Sequence, residues 1–321
     1  TLCFGDAFLQ FSPLFKLYGE YASFHEAASQ AIDDFEKAPA SAAFLRQAES
    51  DPRAAGQSLQ SYLIMPVQRV PRYKLLLVEL LKRTPDDHPD KTPLEMALGH
   101  VDAAARHMNS AIALREAAQQ LKLLEKQFVG SVDLLQRGRR LLKDGILTKV
   151  CRRTDKNFYF HLFNDCLLYS EQTVLGFRLH RSFELHRCVV EDIDREATGF
   201  AAAPPTAFKF LSDHKSFIAY TETGEEKTTW LTALNEAIIN ARAVTGTRLA
   251  SAVAAAAPVW LPDREVSSCT LCSSAFGRVL SRRHHCRMCG TVVCKACSKS
   301  RKLLRNIDKK KPVRVCDACI K

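Results

Sequence analysis

The chain has 321 residues and a net charge of +11, and the whole excess lies in residues 260–321, which carry 15 basic and 4 acidic side chains. The preceding 259 residues are neutral, with 31 of each sign. A content of 46% hydrophobic and 25% charged residues excludes a disordered or collagen-like chain. The absence of any apolar run of ~18 residues excludes a transmembrane helix. No signal peptide opens the chain and residue 1 is not Met, so a fragment is expected. The basic end calls for an acidic partner: nucleic acid, a membrane surface or an acidic protein.

Residues 1–125 read as helical. Gly is scarce, Ala and Leu are abundant, and apolar residues recur every three or four positions. Phe4, Phe8, Phe11, Phe15 and Tyr18 form a stripe expected in a bundle core. Leu75, Leu76, Val78, Leu80 and Leu81 are expected to be more fully buried. Residues 38–55, with Pro39 and Pro52, and residues 84–93, with Pro85, Pro89 and Pro93, are expected to be inter-helix loops. Residues 61–77 contain Pro66 and Pro71 in strongly apolar surroundings, where propensity opposes a helix by ~3 kcal/mol per interior proline.

That proline-containing block resembles the third signature region of the Dbl-homology domain, the exchange-factor module for Rho-family GTPases. The resemblance extends to Phe4-Gly5-Asp6-Ala7-Phe8, Tyr18, Tyr21 and His107-Met108-Asn109. It implies an all-α helical bundle in which Gln68, Arg69, Arg72 and Asn109 contact the GTPase. Arg72 keeps the charge where the family often has Lys. The family's Glu-bearing first signature helix has no counterpart in these residues, so a partial domain over 1–125 is expected. Exchange involves no covalent chemistry. The factor stabilises the nucleotide-free GTPase and raises the nucleotide off-rate.

From about Lys143 the pattern changes to short segments rich in β-branched and aromatic residues. Strands are expected at 146–150, 157–163, 166–170, 177–183, 188–192, 207–211 and 216–221. A helix over 225–241 would place Trp230, Leu231, Leu234, Ala237, Ile238 and Ala241 on one face. Seven strands closed by one helix suggest a small barrel or sandwich. Residues 142–147 and 158–165, with Trp230, resemble a pleckstrin-homology domain, taken as 138–242. Lys149, Arg152, Arg153 and Lys156 flank its first hairpin loop and could receive phosphates, although Phe158 stands where lipid-binding members usually have Arg. Residues 243–258 are Ala-rich without a periodic apolar face, and are expected to be a linker, either a frayed helix or a flexible spacer.

The cysteines of the basic end fall in four pairs: Cys269 and Cys272, Cys286 and Cys289, Cys294 and Cys297, Cys316 and Cys319. Eight thiolates suit two structural, tetrahedral zinc ions with no open position for catalysis. Without a secretory signal, metal is favoured over disulfides. About 60 residues offer too little core to fold alone, so zinc would supply most of the folding free energy.

Between the ligands lie Trp260 and Asp263, then Arg282-Arg283-His284-His285-Cys286-Arg287, then Arg314-Val315-Cys316. These blocks resemble the FYVE zinc finger, which reads phosphatidylinositol 3-phosphate, over 259–321. Forked Arg donors and His suit a doubly charged phosphomonoester. By resemblance, Arg282, Arg283, His285, Arg287 and Arg314 contact the phosphates and Asp263 accepts from inositol hydroxyls. Cys269, Cys272, Cys294 and Cys297 would hold one zinc, and Cys286, Cys289, Cys316 and Cys319 the other. Val279 and Leu280 would insert into the membrane, and Lys309–Lys311 would add ~1 kcal/mol per charge of attraction to anionic lipid.

The combined expectation is a multidomain chain: a partial Dbl-homology bundle, a PH-like β-barrel or sandwich with a C-terminal helix, and a two-zinc FYVE finger. This arrangement resembles the faciogenital-dysplasia type of exchange factor. It implies a Rho-family GTPase and phosphatidylinositol 3-phosphate membranes as partners, no nucleic acid, and a cytoplasmic protein peripheral on endosomal or other membranes. The alternative is a lipid-binding adaptor with an inactive exchange domain.

Overall fold

The computed structural model describes all residues except 1, 2, 194–203, 261, 278–281, 305, 309 and 321. The expected membrane wedge, Val279 and Leu280, lies outside the described residues. Two compact units divide the chain, residues 1–119 and 120–321.

The first unit is helical: α1 (Phe4–Phe11), α2 (Leu17–Glu36), α3 (Pro39–Glu49), α4 (Leu59–Lys82) and α5 (Lys91–Glu125), which runs across the boundary of the units. Its core joins Phe15, Val70, Leu77, Leu94, Ala97, Val101 and Ala104. Tyr73 locks α4 to the N-terminal segment, its ring 5.3 Å from Phe8 and stacked on Phe15 at 5.6 Å. Asp90 caps α1, its carboxylate accepting from the amides of Phe4 and Gly5 at 2.9 Å each. The approach there is so close that a Cβ on Gly5 would lie 2.5 Å from Leu94 N.

Three expectations for this unit are corrected. Residues 38–55 are not simply a loop, because Pro39 starts α3, at a position where its missing N–H costs nothing. Of the aromatic stripe, Phe15 is buried but Phe4 and Phe11 are exposed. Leu75 and Leu76 are also exposed, at 66% and 63%, while Leu77 is buried. In α4 a narrow stripe faces the core: Val70 and Leu77 are fully buried, and Tyr73 and Leu81 pack against them partly buried. Both prolines sit inside this 24-residue helix. Packing of that stripe offsets the two backbone hydrogen bonds the prolines remove.

The second unit is built on a seven-stranded antiparallel sheet in the order β4-β3-β2-β1-β7-β6-β5. Its strands are β1 (Leu141–Lys149), β2 (Lys156–Phe163), β3 (Cys166–Thr173), β4 (Gly176–Glu184), β5 (Val189–Asp192), β6 (Ala207–Leu211) and β7 (Phe217–Tyr220). Helix α6 (Gly224–Thr245) closes one end, with Thr223 as its N-cap. Trp230, Leu234, Ala237 and Ile238 enter a core with Phe160, Phe183, Phe208, Phe210 and Phe217. A second core on the other side of β2–β4 joins Leu121, Leu124, Phe128 and Leu134 to Phe163, Leu168 and Phe177.

Of the two readings of the Ala-rich stretch the helix is the one found, docked against the β-domain. Helix α7 (Leu249–Ala255) forms there, and Ala252 and Ala257 are buried. Ala257 N donates to Ser212 O at 2.7 Å, and Ala257 O accepts from the Ser216 hydroxyl. Alanine side chains lose no rotamer entropy on docking, so a segment without an amphipathic face still packs. Beyond it lie two short ribbons, β8 (His284–His285) with β9 (Val292–Val293), and β10 (Arg301–Lys302) with β11 (Val313–Arg314).

One buried histidine gives this core a pH dependence. His161 is fully buried, with Nε2 3.2 Å from Ser170 Oγ and its ring against Phe128, Tyr159 and Phe177. Burial pushes its pKa down from 6.5 to about 4. The unfolded chain therefore binds more protons between these values, and stability falls as pH drops from about 6.5 to about 4, by about 3 kcal/mol. His161→Leu is expected to lose this slope. Urea midpoints at pH 7 and pH 5 for both proteins check it, the difference between them cancelling acid release of metal. Parallel losses in the two would refute the assignment.

Candidate functional site

The basic end has a core made largely of its own metal ligands. Cys269, Cys286, Cys294 and Cys316 are buried with Val293 and Val315. The eight thiols gather in two sets, Cys269/Cys272/Cys294/Cys297 and Cys286/Cys289/Cys316/Cys319, each with all sulfurs within 4.8 Å of one another. This is the interleaved pairing that the resemblance implied.

The geometry suits zinc. A tetrahedron of ~2.3 Å Zn–S bonds has sulfur–sulfur edges of about 3.8 Å. Cys272–Cys294, Cys286–Cys319 and Cys289–Cys316 lie 3.8, 3.9 and 3.7 Å apart. None of the cysteines forms a disulfide. Amides support the thiolates: Cys294 N donates to Cys269 Sγ at 3.3 Å, and Cys316 N to Cys286 Sγ at 3.2 Å. The hydroxyl and amide of Ser274 draw the Cys272 thiol down to about 6. Two zinc ions therefore fit, one in each set.

The polar residues named from sequence fall into three groups. Asp263, His285 and Arg287 come together around Trp260. The indole stacks on the His285 ring at 5.2 Å and 20°, and the Arg287 guanidinium sits 3.9 Å from the indole centre. Asp263 Oδ1 lies 3.8 Å from the buried His285 Nε2 and is itself buried, accepting no hydrogen bond among the described residues. Around His284 lies a second group: its pKa is lowered by burial and then by the positive charge of Arg314, Lys295 and Arg282. Arg314 is braced through Nη1 to Ser298 O at 2.6 Å, and its own carbonyl accepts from Arg287 N at 2.9 Å. Arg283 turns aside to donate to Val266 O at 3.0 Å, over the Phe276 ring. Lys295 was missed in the sequence, because it stands outside all three motif blocks.

The β-domain meets this site directly. Asp263 N donates to Arg152 O at 3.1 Å, and Arg152 Nε lies 3.7 Å from Asp263 Oδ2. Arg264 forms a bidentate pair with Asp155, both bonds 3.0 Å. The loop between β1 and β2 therefore rests on the segment that carries Trp260 and Asp263. Lys149 does not flank that loop as an open cation. It is buried, with Nζ over the Phe217 and Tyr169 rings at 5.2 and 5.9 Å.

In the helical unit, Gln68, Arg69 and Arg72 are exposed on α4, and Asn109 is exposed on α5. Arg72 Nη2 donates to Gln68 Oε1 at 2.6 Å, and Arg69 Nε to the Tyr73 hydroxyl at 2.8 Å. Gln68, Arg72, Leu75 and Leu76 follow helical spacing on one solvent-facing surface.

Loss of a ligand tests the metal centres. Because ligand pairs alternate along the chain, neither site can form without ordering the segment between the other's pairs. Cys316→Ser is expected to remove one zinc and weaken the second at least tenfold, read by metal content under a graded chelator. Retention of the other zinc at unchanged affinity would show independent sites.

The RhoGEF domain family matches residues 1–109, the PH domain 141–239 and the FYVE zinc finger 259–321. The FYVE, RhoGEF and PH domain-containing protein 6 of Homo sapiens is 32% identical over 98% of this chain. The chain spans about a quarter of that relative, 23% of its length. Among solved structures, the activated truncation of Vav1 aligns with 98% of the chain and 77% of its own, at 22% identity and a TM-score of 0.65. The PDZ-RhoGEF DH/PH domains, solved in complex with GTP-gamma-S activated RhoA, align with 74% of the chain and 73% of their own, at 19% identity and a TM-score of 0.55. At these identities the structural likeness concerns the fold alone. A RhoGEF domain of the Dbl-homology type, a PH domain and a two-zinc FYVE finger thus follow one another in this chain, and its relatives are the FYVE, RhoGEF and PH domain-containing proteins.

Proposed function

We propose that this chain is a guanine nucleotide exchange factor for a Rho-family GTPase, recruited to membranes when its FYVE finger binds phosphatidylinositol 3-phosphate. The observation that carries the exchange reading is the outer face of α4. Gln68 and Arg72, held together by their own hydrogen bond, stand beside exposed Leu75 and Leu76, while Val70 and Leu77 on the other side are core. A polar pair flanked by exposed leucines is a surface shaped for a protein partner. Gln68, Arg69, Arg72 and, from α5, Asn109 would engage the GTPase and favour its nucleotide-free form, raising the off-rate of bound nucleotide.

The membrane reading rests on the finger. Arg282, Arg283, His285, Arg287 and Arg314 would bind the phosphates, and the partly exposed Asp263 carboxylate would accept from a ring hydroxyl. Zinc supplies the rigidity that keeps these donors close despite their mutual repulsion. No described helix is long and apolar enough to cross a membrane, so attachment through this surface would be peripheral. The endosomal or other phosphoinositide-bearing compartment belongs to the proposal.

Release of labelled GDP from GTPases of each Rho subgroup tests the first part. One subgroup is expected to respond to the full chain, and Gln68→Ala with Arg72→Ala to slow release at least tenfold, about 1.4 kcal/mol. No acceleration in any subgroup would leave the adaptor reading. For the second part, vesicle sedimentation is expected to require phosphatidylinositol 3-phosphate and to be lost with Arg282→Ala and Arg283→Ala. Binding that ignores the lipid or survives both changes would sink it.

A further inference from the structure

The hairpin that joins β3 to β4 ends in two apolar residues open to solvent. Val174 is 104% exposed and Leu175 84%. The turn does not need them. Thr173 pairs with Gly176, the Thr173 hydroxyl donates to Gly176 O at 2.7 Å, and Gly176 takes the positive φ of +123°. Tight turns favour Gly, Asn, Asp, Ser or Pro, each for a backbone reason, and a β-branched valine supplies none of them. Val129 extends the apolar tip: its amide donates to Phe177 O at 2.8 Å beside the turn, and its side chain is exposed.

The strand registers place this tip. Lys149 at the end of β1 faces Lys156 at the start of β2, Tyr159 of β2 faces Ser170 of β3, and Thr173 then faces Gly176. The β3–β4 tip and the β1–β2 loop therefore project from the same end of the sheet. The finger is held at that end, by Asp263 N to Arg152 O, by the Arg264–Asp155 pair, and by His214 Nδ1, 2.8 Å from Asn306 O. The residues around Trp260 that would receive the headgroup share this end of one compact unit with the tip. Arg153, Lys156 and Arg181 are exposed there and form no ion pair among the described residues. The carboxylates are answered: Asp155 by Arg264, and Glu171 by Arg178 at 3.8 Å and His180 at 3.6 Å.

We propose that Val174 and Leu175 insert into an anionic bilayer when the finger takes its headgroup, giving the β-domain a membrane contact of its own. A convex tip of two residues is too small for a stable protein interface, which buries about 800 Å² per partner. A bilayer accepts an isolated apolar projection without shape complementarity, and it rewards removal of that surface from water. The unpaired cations at the same end favour anionic headgroups around the tip. Because the finger is docked at this end, headgroup binding brings the tip to the surface at high effective concentration. The inference rests on the lipid reading above, but its residues take no part in holding the headgroup.

Fluorescence of Leu175→Trp in the full, zinc-loaded chain tests the proposal. The vesicles contain phosphatidylcholine with brominated acyl chains, phosphatidylserine and phosphatidylinositol 3-phosphate. The added indole is expected to be quenched at least twofold more than the two native tryptophans of the unchanged chain. Val174→Ser with Leu175→Ser is expected to weaken vesicle partitioning at least fivefold. The same change is expected to leave affinity for soluble inositol 1,3-bisphosphate within twofold and the thermal midpoint unmoved, since both side chains are exposed. Arg282→Ala with Arg283→Ala is expected to lose the soluble headgroup, so the two readings fail separately. If the unchanged chain ignores phosphatidylinositol 3-phosphate, the headgroup reading fails, and brominated phosphatidylserine vesicles without that lipid decide the tip. Quenching there supports insertion. An unquenched indole on vesicles that the protein has bound overturns it, as does equal partitioning of the serine variant or no binding to either vesicle. A dimer that the serine changes dissolve would assign the tip to a second copy and overturn it as well.

Discussion

The finger at the end of this chain has almost no interior apart from its metal ligands. Four of the six residues that form its buried cluster are cysteines of the two zinc sets. Everything its surface does depends on that substitution of coordination for hydrophobic burial. Arg282, Arg283, Arg287 and Arg314 repel one another, and an ordinary small core would be too weak to hold them at fixed positions. Side chains braced against Ser298, Val266 and Trp260 turn the rigidity of the sulfur cages into placement of charge.

How much of this could be read from residues alone depended on whether neighbours in space were neighbours in sequence. Strands β2 to β7 were legible because their alternation and turns are local, and β6 fell at 207–211 as expected, whereas β1 starts at Leu141, five residues before the expected 146. The ligand spacing made zinc legible, but the interleaving of pairs came only with the resemblance and is now seen in the sulfur geometry. At the two prolines of α4 propensity and resemblance pointed opposite ways, and the helix stands because local propensity lost to the burial of Val70 and Leu77. The exposure of Leu75 and Leu76 misled for the opposite reason: an apolar run shows no period, so nothing in it told the inner face from the outer.

A cavity between the sheet and the finger, lined by Lys149, Arg152, Arg181, His214, Lys215 and Arg287, was not legible at all. Its residues come from β1, β4, the β6–β7 turn and the finger, and no spacing relates them. Lys149 looked like one more loop cation. Its placement against the Tyr169 and Phe217 rings makes it part of an inner wall. The bulk arithmetic also hid this: residues before 260 are electrically neutral in sum, yet Lys149, Arg152, Arg181 and Lys215 share one cavity while Asp155 and Asp213 are paired with Arg264 and Arg187. Net charge measures the total and says nothing about segregation.

The docked alanine segment changes what kind of reader the two modules make. As a flexible coil, the 16 residues 243–258 would let their ends wander over ~20–24 Å. The finger would then act as a tethered second ligand whose gain is set by effective concentration. Helix α7, the bonds of Ala257 to Ser212 and Ser216, and the Arg264–Asp155 pair remove that freedom. The two modules are thereby joined at a fixed angle, so under the membrane reading proposed above they would meet a bilayer as one body. Such a body would discriminate by the tilt it must take on a flat bilayer, and would respond to membrane curvature in a way that a tethered pair would not.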